Sequence, residues 1–130
     1  MIVVDASVLA VALGDDGPDG FAARSALGGE SLTAPELVDL EVLSVWRRQV
    51  AGGAMTQARA KLAVQDLTVM PVRRVGHRVL MQRCWELRNA VTVYDAAYVA
   101  LAEVLGISLL TADARLSRAP GLRCRVELVS

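Results

Sequence analysis

Four acidic residues stand where a soluble surface seldom places charge: Asp5, Glu41, Asp95 and Asp113. Asp5 ends the β-branched run Ile2-Val3-Val4. Glu41 interrupts an apolar helical stripe, four residues after Leu37, three after Val38 and four before Val45. Asp95 falls in the first turn of a nearly all-apolar helical stretch, and Asp113 lies just past Leu109-Leu110-Thr111. Each has a local alternative. Asp5 and Asp113 suit helix N-caps, Asp95 completes a capping box with Thr92, and Glu41 can pair with Arg48. Glu41 alone has no capping role, so its place on an apolar seam calls for a partner.

Four carboxylates at one rim repel one another and cannot all stay ionised without a cation. A hard divalent ion, Mg²⁺ with Mn²⁺ as the alternative, prefers carboxylate and water oxygens and grips phosphate oxygens in its remaining positions. The matching chemistry is phosphodiester hydrolysis, with the ion activating water and offsetting transition-state charge. Ser7 and Thr111 bring hydroxyls near Asp5 and Asp113, to assist at the ion or to cap local backbone. Arg115 and Arg118 are placed for phosphate contact. His77, the one histidine, sits among arginines and reads as a surface residue. Asp39 lies about 200° around the helix from Glu41 and cannot aim at the same point.

The elements that must position these groups alternate. Strands are expected at 2–4, 32–34, 67–72, 107–111 and 123–129. Helices are expected at 8–13, 21–27, 36–52, 57–66, 75–90, 93–105 and 113–118, with Val79, Leu80, Cys84 and Leu87 on one buried face of the 75–90 helix. Strands separated by helices call for right-handed crossovers and a mostly parallel sheet in a three-layer α/β/α domain, whose strand ends share one rim. Asp5 and Asp113 both occupy that rim. Trp46, Trp85 and Tyr98 read as core or interface residues, and Asp15 and Asp16 as a solvated loop.

The 130 residues fit a single domain spanning 1–130, with 54% hydrophobic residues and balanced charge. A mean hydropathy of +0.40 is high for so small a domain and points to a self-association or partner surface. Zero net charge supplies no whole-molecule field for nucleic acid, so such binding needs a local patch. Arg47, Arg48, Arg73, Arg74, Arg78, Arg83 and Arg88 give the middle of the chain a basic excess. Two distant cysteines and no span of membrane length suggest a reducing cytoplasm, with no membrane partner.

Val-Val-Asp5-Ala-Ser7-Val-Leu, Leu-Glu41-Val-Leu-Ser-Val-Trp, Tyr-Asp95-Ala-Ala-Tyr-Val-Ala-Leu-Ala and Leu-Leu-Thr111-Ala-Asp113, in that order, resemble a PIN-domain ribonuclease of the VapC toxin type. The resemblance runs nearly the full length. It implies a Mg²⁺- or Mn²⁺-dependent endoribonuclease acting on an RNA substrate and leaving a 5′-phosphate and a 3′-hydroxyl. It also implies a homodimer and neutralisation by a cognate VapB-like antitoxin. Asp5, Glu41, Asp95 and Asp113 would be the metal-binding catalytic acids, assisted by Ser7 or Thr111. A haloacid-dehalogenase-like phosphatase would want an Asp at position 7, and a receiver domain a lysine after a late strand, where Lys61 is misplaced. A catalytically silent module of the same fold that binds RNA or protein is the non-enzymatic alternative.

Overall fold

Ile2, Val3 and Val4 are almost wholly buried, so the strand they form has to lie inside the sheet, covered on both faces. The computed structural model describes residues 1–129 and places this strand, β1 (Ile2–Val4), at the centre. It is followed by α1 (Ala6–Gly14), α2 (Pro18–Leu27), β2 (Leu32–Pro35), α3 (Val38–Ala51), α4 (Gln57–Val69) and β3 (Val72–Val75). A short 3₁₀ turn (Arg78–Leu80) leads into α5 (Met81–Glu86), α6 (Val93–Leu105), β4 (Leu109–Thr111), α7 (Ala114–Ser117) and β5 (Val126–Leu128).

The sheet order is β3-β2-β1-β4-β5, with every pairing parallel. Val3 aligns with Thr33 of β2 on one side and Leu109 of β4 on the other. The chain therefore winds outward from β1 through β2 to β3, then crosses back to lay β4 on β1's free edge. That reversal leaves a crevice at the carboxyl ends of β1 and β4, the place where open parallel sheets bind ligands. Helices flank the sheet as expected of an α/β/α domain: α1 packs on α2, α3 and α4, while α6 packs on α5 and against β1, β2 and β4.

Two segments depart from the sequence expectation in kind, and others only at their bounds. Residues 67–69 belong to α4, because Leu67 is a buried helical anchor and Thr68 turns its hydroxyl back to the Gln65 carbonyl. The strand begins only after Pro71, and its sequence Val72-Arg73-Arg74-Val75 suits a sheet edge. Residues 75–90 do not form one helix. After the bend at His77, the 3₁₀ turn and α5 keep Leu80, Cys84 and Leu87 buried, while Val79 points outward at 75% exposure. Pro35 extends β2 by one residue, α3 begins at Val38 where a start at 36 was expected, β4 starts at Leu109 and β5 at Val126.

Guanidinium groups finish what the helices leave open. The last carbonyls of α1 lack intrahelical donors. Arg24 donates to the Ala12 and Asp15 carbonyls, Arg59 donates to that of Leu13, and the Trp46 indole N–H donates to that of Ala10. This draws the start of α2 hard against the end of α1. A Cβ on Gly20 would lie 1.8 Å from the Asp15 carbonyl oxygen. Arg83 ties α5 to α6 through two bonds to Glu103, at 2.7 and 3.2 Å, and reaches the Gly121 carbonyl.

Gly20→Ala is expected to lower stability by about 1–3 kcal/mol through backbone displacement, read as a reduced urea midpoint. Burial alone would raise the Glu103 pKa, yet the bonds from Arg83 and the Arg123 N–H outweigh it and hold the group below its usual range. The stabilisation Glu103 supplies is thus complete above its unfolded value of about 4.3 and lost as pH falls through the lower folded value. Urea melts should show Glu103→Gln clearly weaker than the native protein at pH 7, with the gap closing in acid.

Candidate active site

Asp5 is the residue immediately after β1, 6% exposed, and two hydroxyls converge on one of its oxygens. Ser7 Oγ and Thr111 Oγ1 each donate to Asp5 Oδ2 at 2.7 Å. Both hydroxyl oxygens also accept, Ser7 from the Ala112 N–H and Thr111 from the Asp113 N–H, each at 3.0 Å. These bonds stitch the end of β1 to the turn after β4 and fix the Asp5 carboxylate. Burial pushes the Asp5 pKa up, the Ser7 and Thr111 donors pull against it, and the charge of Asp113 adds to the rise.

Glu41 reaches the same rim from α3. Val38, Val42 and Trp46 bury one face of that helix, and Glu41 sits beside them, half-buried. Its partner is Tyr98, whose phenol donates to Glu41 Oε1 at 2.6 Å; Arg48 instead donates to Ser44. Burial raises the Glu41 pKa, the Tyr98 bond lowers it, and the charges of Asp5 and Asp95 raise it again. Burial and the bond to Glu41 together keep the Tyr98 hydroxyl firmly protonated, so it can only donate here.

Asp95 lies in the first turn of α6, where its N–H donates to Thr92 Oγ1 at 3.1 Å, so Thr92 is the cap and the Asp95 carboxylate is left for other partners. Its carboxylate belongs to the cluster. Burial raises its pKa first, then the charges of Asp5 and Asp113. Asp113 likewise caps α7 by accepting the Arg115 N–H at 2.9 Å. The Arg115 guanidinium closes on the same carboxylate, at 3.3 and 3.4 Å, and holds its pKa below the usual range. Asp5 therefore acts electrostatically on Glu41 and Asp95, Asp95 acts on Glu41, and Asp113 acts on Asp5 and Asp95. Arg115 joins them, whereas Arg118 is exposed at the end of α7 and lies outside the adjoining cavity.

That cavity, about 450 Å³, is lined by Arg88, Asn89, Asp95, Asp113 and Arg115 among others. Among the described residues, no three acidic, histidine or cysteine side chains form a group that would enclose a metal ion on their own. Mg²⁺ does not require one, since it keeps several waters and takes one or two carboxylates together with substrate phosphates. An all-oxygen, half-buried donor set whose members raise one another's pKa is the chemistry such an ion offsets.

The sequence pattern predicts Tyr98 as a core or interface residue. It is buried, and its three-residue spacing from Asp95 on one helix face was the available signal. The basic middle of the chain, in contrast, divides. Arg74 is committed to Asp39 and the Leu67, Met70 and Val72 carbonyls, and Arg83 to Glu103 and Glu86. His77 is exposed, as read, and its Nε2 accepts the Leu37 N–H.

The family model for the PIN domain matches residues 2–122. Ribonuclease VapC1 of Mycobacterium tuberculosis (strain ATCC 25618 / H37Rv) is 40% identical over 128 residues, covering 98% of this chain and 96% of the relative. Ribonuclease VapC12 of the same strain is 40% identical over 130 residues, covering all of both chains. The chain belongs to the PIN-domain family, among the VapC ribonucleases. Solved structures agree on the fold. M. tuberculosis VapC20, described as a Sarcin-Ricin loop cleaving toxin, superposes on this PIN domain with a TM-score of 0.72 at 18% identity, covering 91% of this chain and 94% of that one. VapBC2 from Rickettsia felis, bound to a DNA fragment from its promoter, gives 0.65 at 12% identity, covering 100% of both chains.

In this PIN domain Tyr98 orients Glu41. Tyr98→Phe removes the donor while keeping the ring, leaving a half-buried carboxylate short of a partner. RNA cleavage is expected to fall about tenfold, with the acid limb of the pH–rate profile moved to higher pH because Glu41 loses the bond that favours its ionised form.

Proposed function

We propose that this protein is a Mg²⁺-dependent endoribonuclease, with Mn²⁺ as an alternative ion, acting as a toxin that a small cognate VapB-like antitoxin neutralises. The observation that carries this reading is the convergence of Asp5, Glu41, Asp95 and Asp113, from four separate elements, on the switch point of the sheet. The 40% identity to VapC ribonucleases over the whole chain gives the substrate class.

One or two of the four acids would hold the ion directly and the others through its waters, and the ion would supply an activated water and charge compensation at the scissile phosphate. Water adds at phosphorus as the P–O3′ bond breaks and O3′ takes up a proton, leaving a 5′-phosphate and a 3′-hydroxyl. Ser7 and Thr111 hold Asp5 in register, and Tyr98 does the same for Glu41. Arg115 is 87% exposed on its side chain and can leave Asp113 for a substrate phosphate.

An apolar face supports a homodimer. Met81, Trp85, Val93 and Tyr94, each more than half exposed, surround an apolar cavity of about 440 Å³ with Leu37. Exposed apolar surface of this kind on a small domain marks a protein contact. No helix among the described residues is long and apolar enough to cross a membrane.

Induced expression is expected to arrest growth, and co-expression of a small neighbouring antitoxin gene to restore it. Asp5→Asn or Asp95→Asn should cut RNA cleavage about 100-fold or more and abolish arrest, and chelation of divalent ions should have the same effect on cleavage in vitro. Retained cleavage in both variants would refute the assignment, and RNA binding without cleavage would favour the silent module. Light scattering on Met81→Glu should report a monomer where the native protein is a dimer.

A further inference from the structure

One wall of the cavity beside the acids is unused by the chemistry above. Arg88 and Asn89 lie in the turn between α5 and α6, and both line the cavity that Asp95 and Asp113 also line. The two guanidiniums there differ in state. Arg115 pairs with Asp113, whereas Arg88 makes no ion pair among the described residues. Arg88 is nonetheless fixed. Its guanidinium carbon lies 4.5 Å from the centroid of the Trp85 ring, and its Nη1 donates to the Trp85 carbonyl at 2.8 Å. Stacking and one backbone bond therefore set a planar cation in advance, so little side-chain entropy is left to lose on binding.

RNA approaching a cluster of four acids meets repulsion that a cation at the scissile phosphate offsets only there. The neighbouring nucleotide needs its own counter-charge. We propose that Arg88, held by Trp85, and Asn89 form a subsite for one unpaired nucleotide next to the scissile phosphate, with Arg88 gripping its non-scissile phosphate and the Asn89 carboxamide reading the base edge. This rests on the endoribonuclease reading and names the side chains that would take the nucleotide beside the one cut. The cavity volume of about 450 Å³ suits one nucleotide. Reading a base edge at a protein wall requires the base to be splayed out of a helix, which unpaired RNA allows and duplex RNA resists. Trp85 is here a positioning residue that acts through Arg88.

The test measures binding of a fluorescent, mixed-sequence single-stranded RNA by anisotropy across a salt series, in an Asp95→Asn background that blocks cleavage. Steady-state cleavage is measured beside it in the otherwise native protein. Arg88→Gln is expected to weaken single-strand binding about tenfold and to lower the salt slope by about 0.7, the value of one phosphate contact. In cleavage KM should rise about as much, with kcat changed less than twofold; Arg88→Lys, which keeps the charge but not the stacked planar fork, should keep the salt slope and recover only part of the affinity. An unchanged Kd and slope in Arg88→Gln overturns the subsite while the nuclease reading stands, and so does a lysine variant whose salt slope falls as far as that of the glutamine one. Should Arg88→Gln melt early, the exposed Asn89→Ala decides instead, with KM expected to rise about fivefold on single strands and an unchanged KM rejecting the subsite. If the native protein cleaves no RNA with either ion, the functional reading falls and this one with it.

Discussion

The parallel pairing of β1 with β4 is what the rest of the molecule depends on, because it sets Thr111 beside Asp5 and lets one carboxylate oxygen collect two hydroxyl bonds at 2.7 Å. A carboxylate at 6% exposure would ordinarily give up its charge. Those donors hold it toward ionisation while Asp113, whose N–H is tied to the same threonine, works against it. The sheet's centre thus ends in an acid that is buried, held by two hydroxyl donors and pushed up in pKa. Glu41 and Asp95 then arrive from helices on either branch of the winding and are pushed up in turn by its charge.

Arginine distribution makes this arrangement affordable to the fold. Nearly every basic residue is arginine, yet the chain does not spend them as one nucleic-acid patch. Arg24 and Arg59 cap the carbonyls of α1, Arg74 anchors the edge strand β3 to α3, and Arg83 clamps α5 to α6. Planar guanidinium forks suit these tasks because one group can satisfy several carbonyls and a carboxylate together. What remains near the acids is Arg115, paired with Asp113, and Arg88, stacked on Trp85. The net charge of zero therefore conceals an uneven field, acidic at the switch point and basic on the wall beside it.

The α-helical caps show why local and functional readings of an acid do not exclude each other. Asp113 caps α7 with one oxygen and the Asp95 N–H is itself capped by Thr92, yet both carboxylates enter the cluster. A helix start near the rim of a parallel sheet aims its first-turn acids at the crevice, so capping fixes their direction. Glu41 differs because no backbone group accounts for it. Its partner is a phenol 57 residues onward, which no periodicity within α3 could reveal.

Residue types and spacing by themselves determined the alternation of strands and helices, the α/β/α class and the buried first strand, and they singled out the four acids as candidates. These follow from local hydrophobic period and from the cost of charge on an apolar seam, both written in short windows of sequence. The true strand at 72–75 and the broken helix between 76 and 90 were decided by tertiary structure. An edge strand tolerates arginines that a period-based reading assigns elsewhere, and Leu80, Cys84 and Leu87 need only to reach the core, not to do so on one helix. The Tyr98–Glu41 bond, the shared hydroxyl bridge at Asp5 and the fixing of Arg88 over Trp85 were likewise set by packing. Which partner a polar group finds depends on where the winding brings distant elements together.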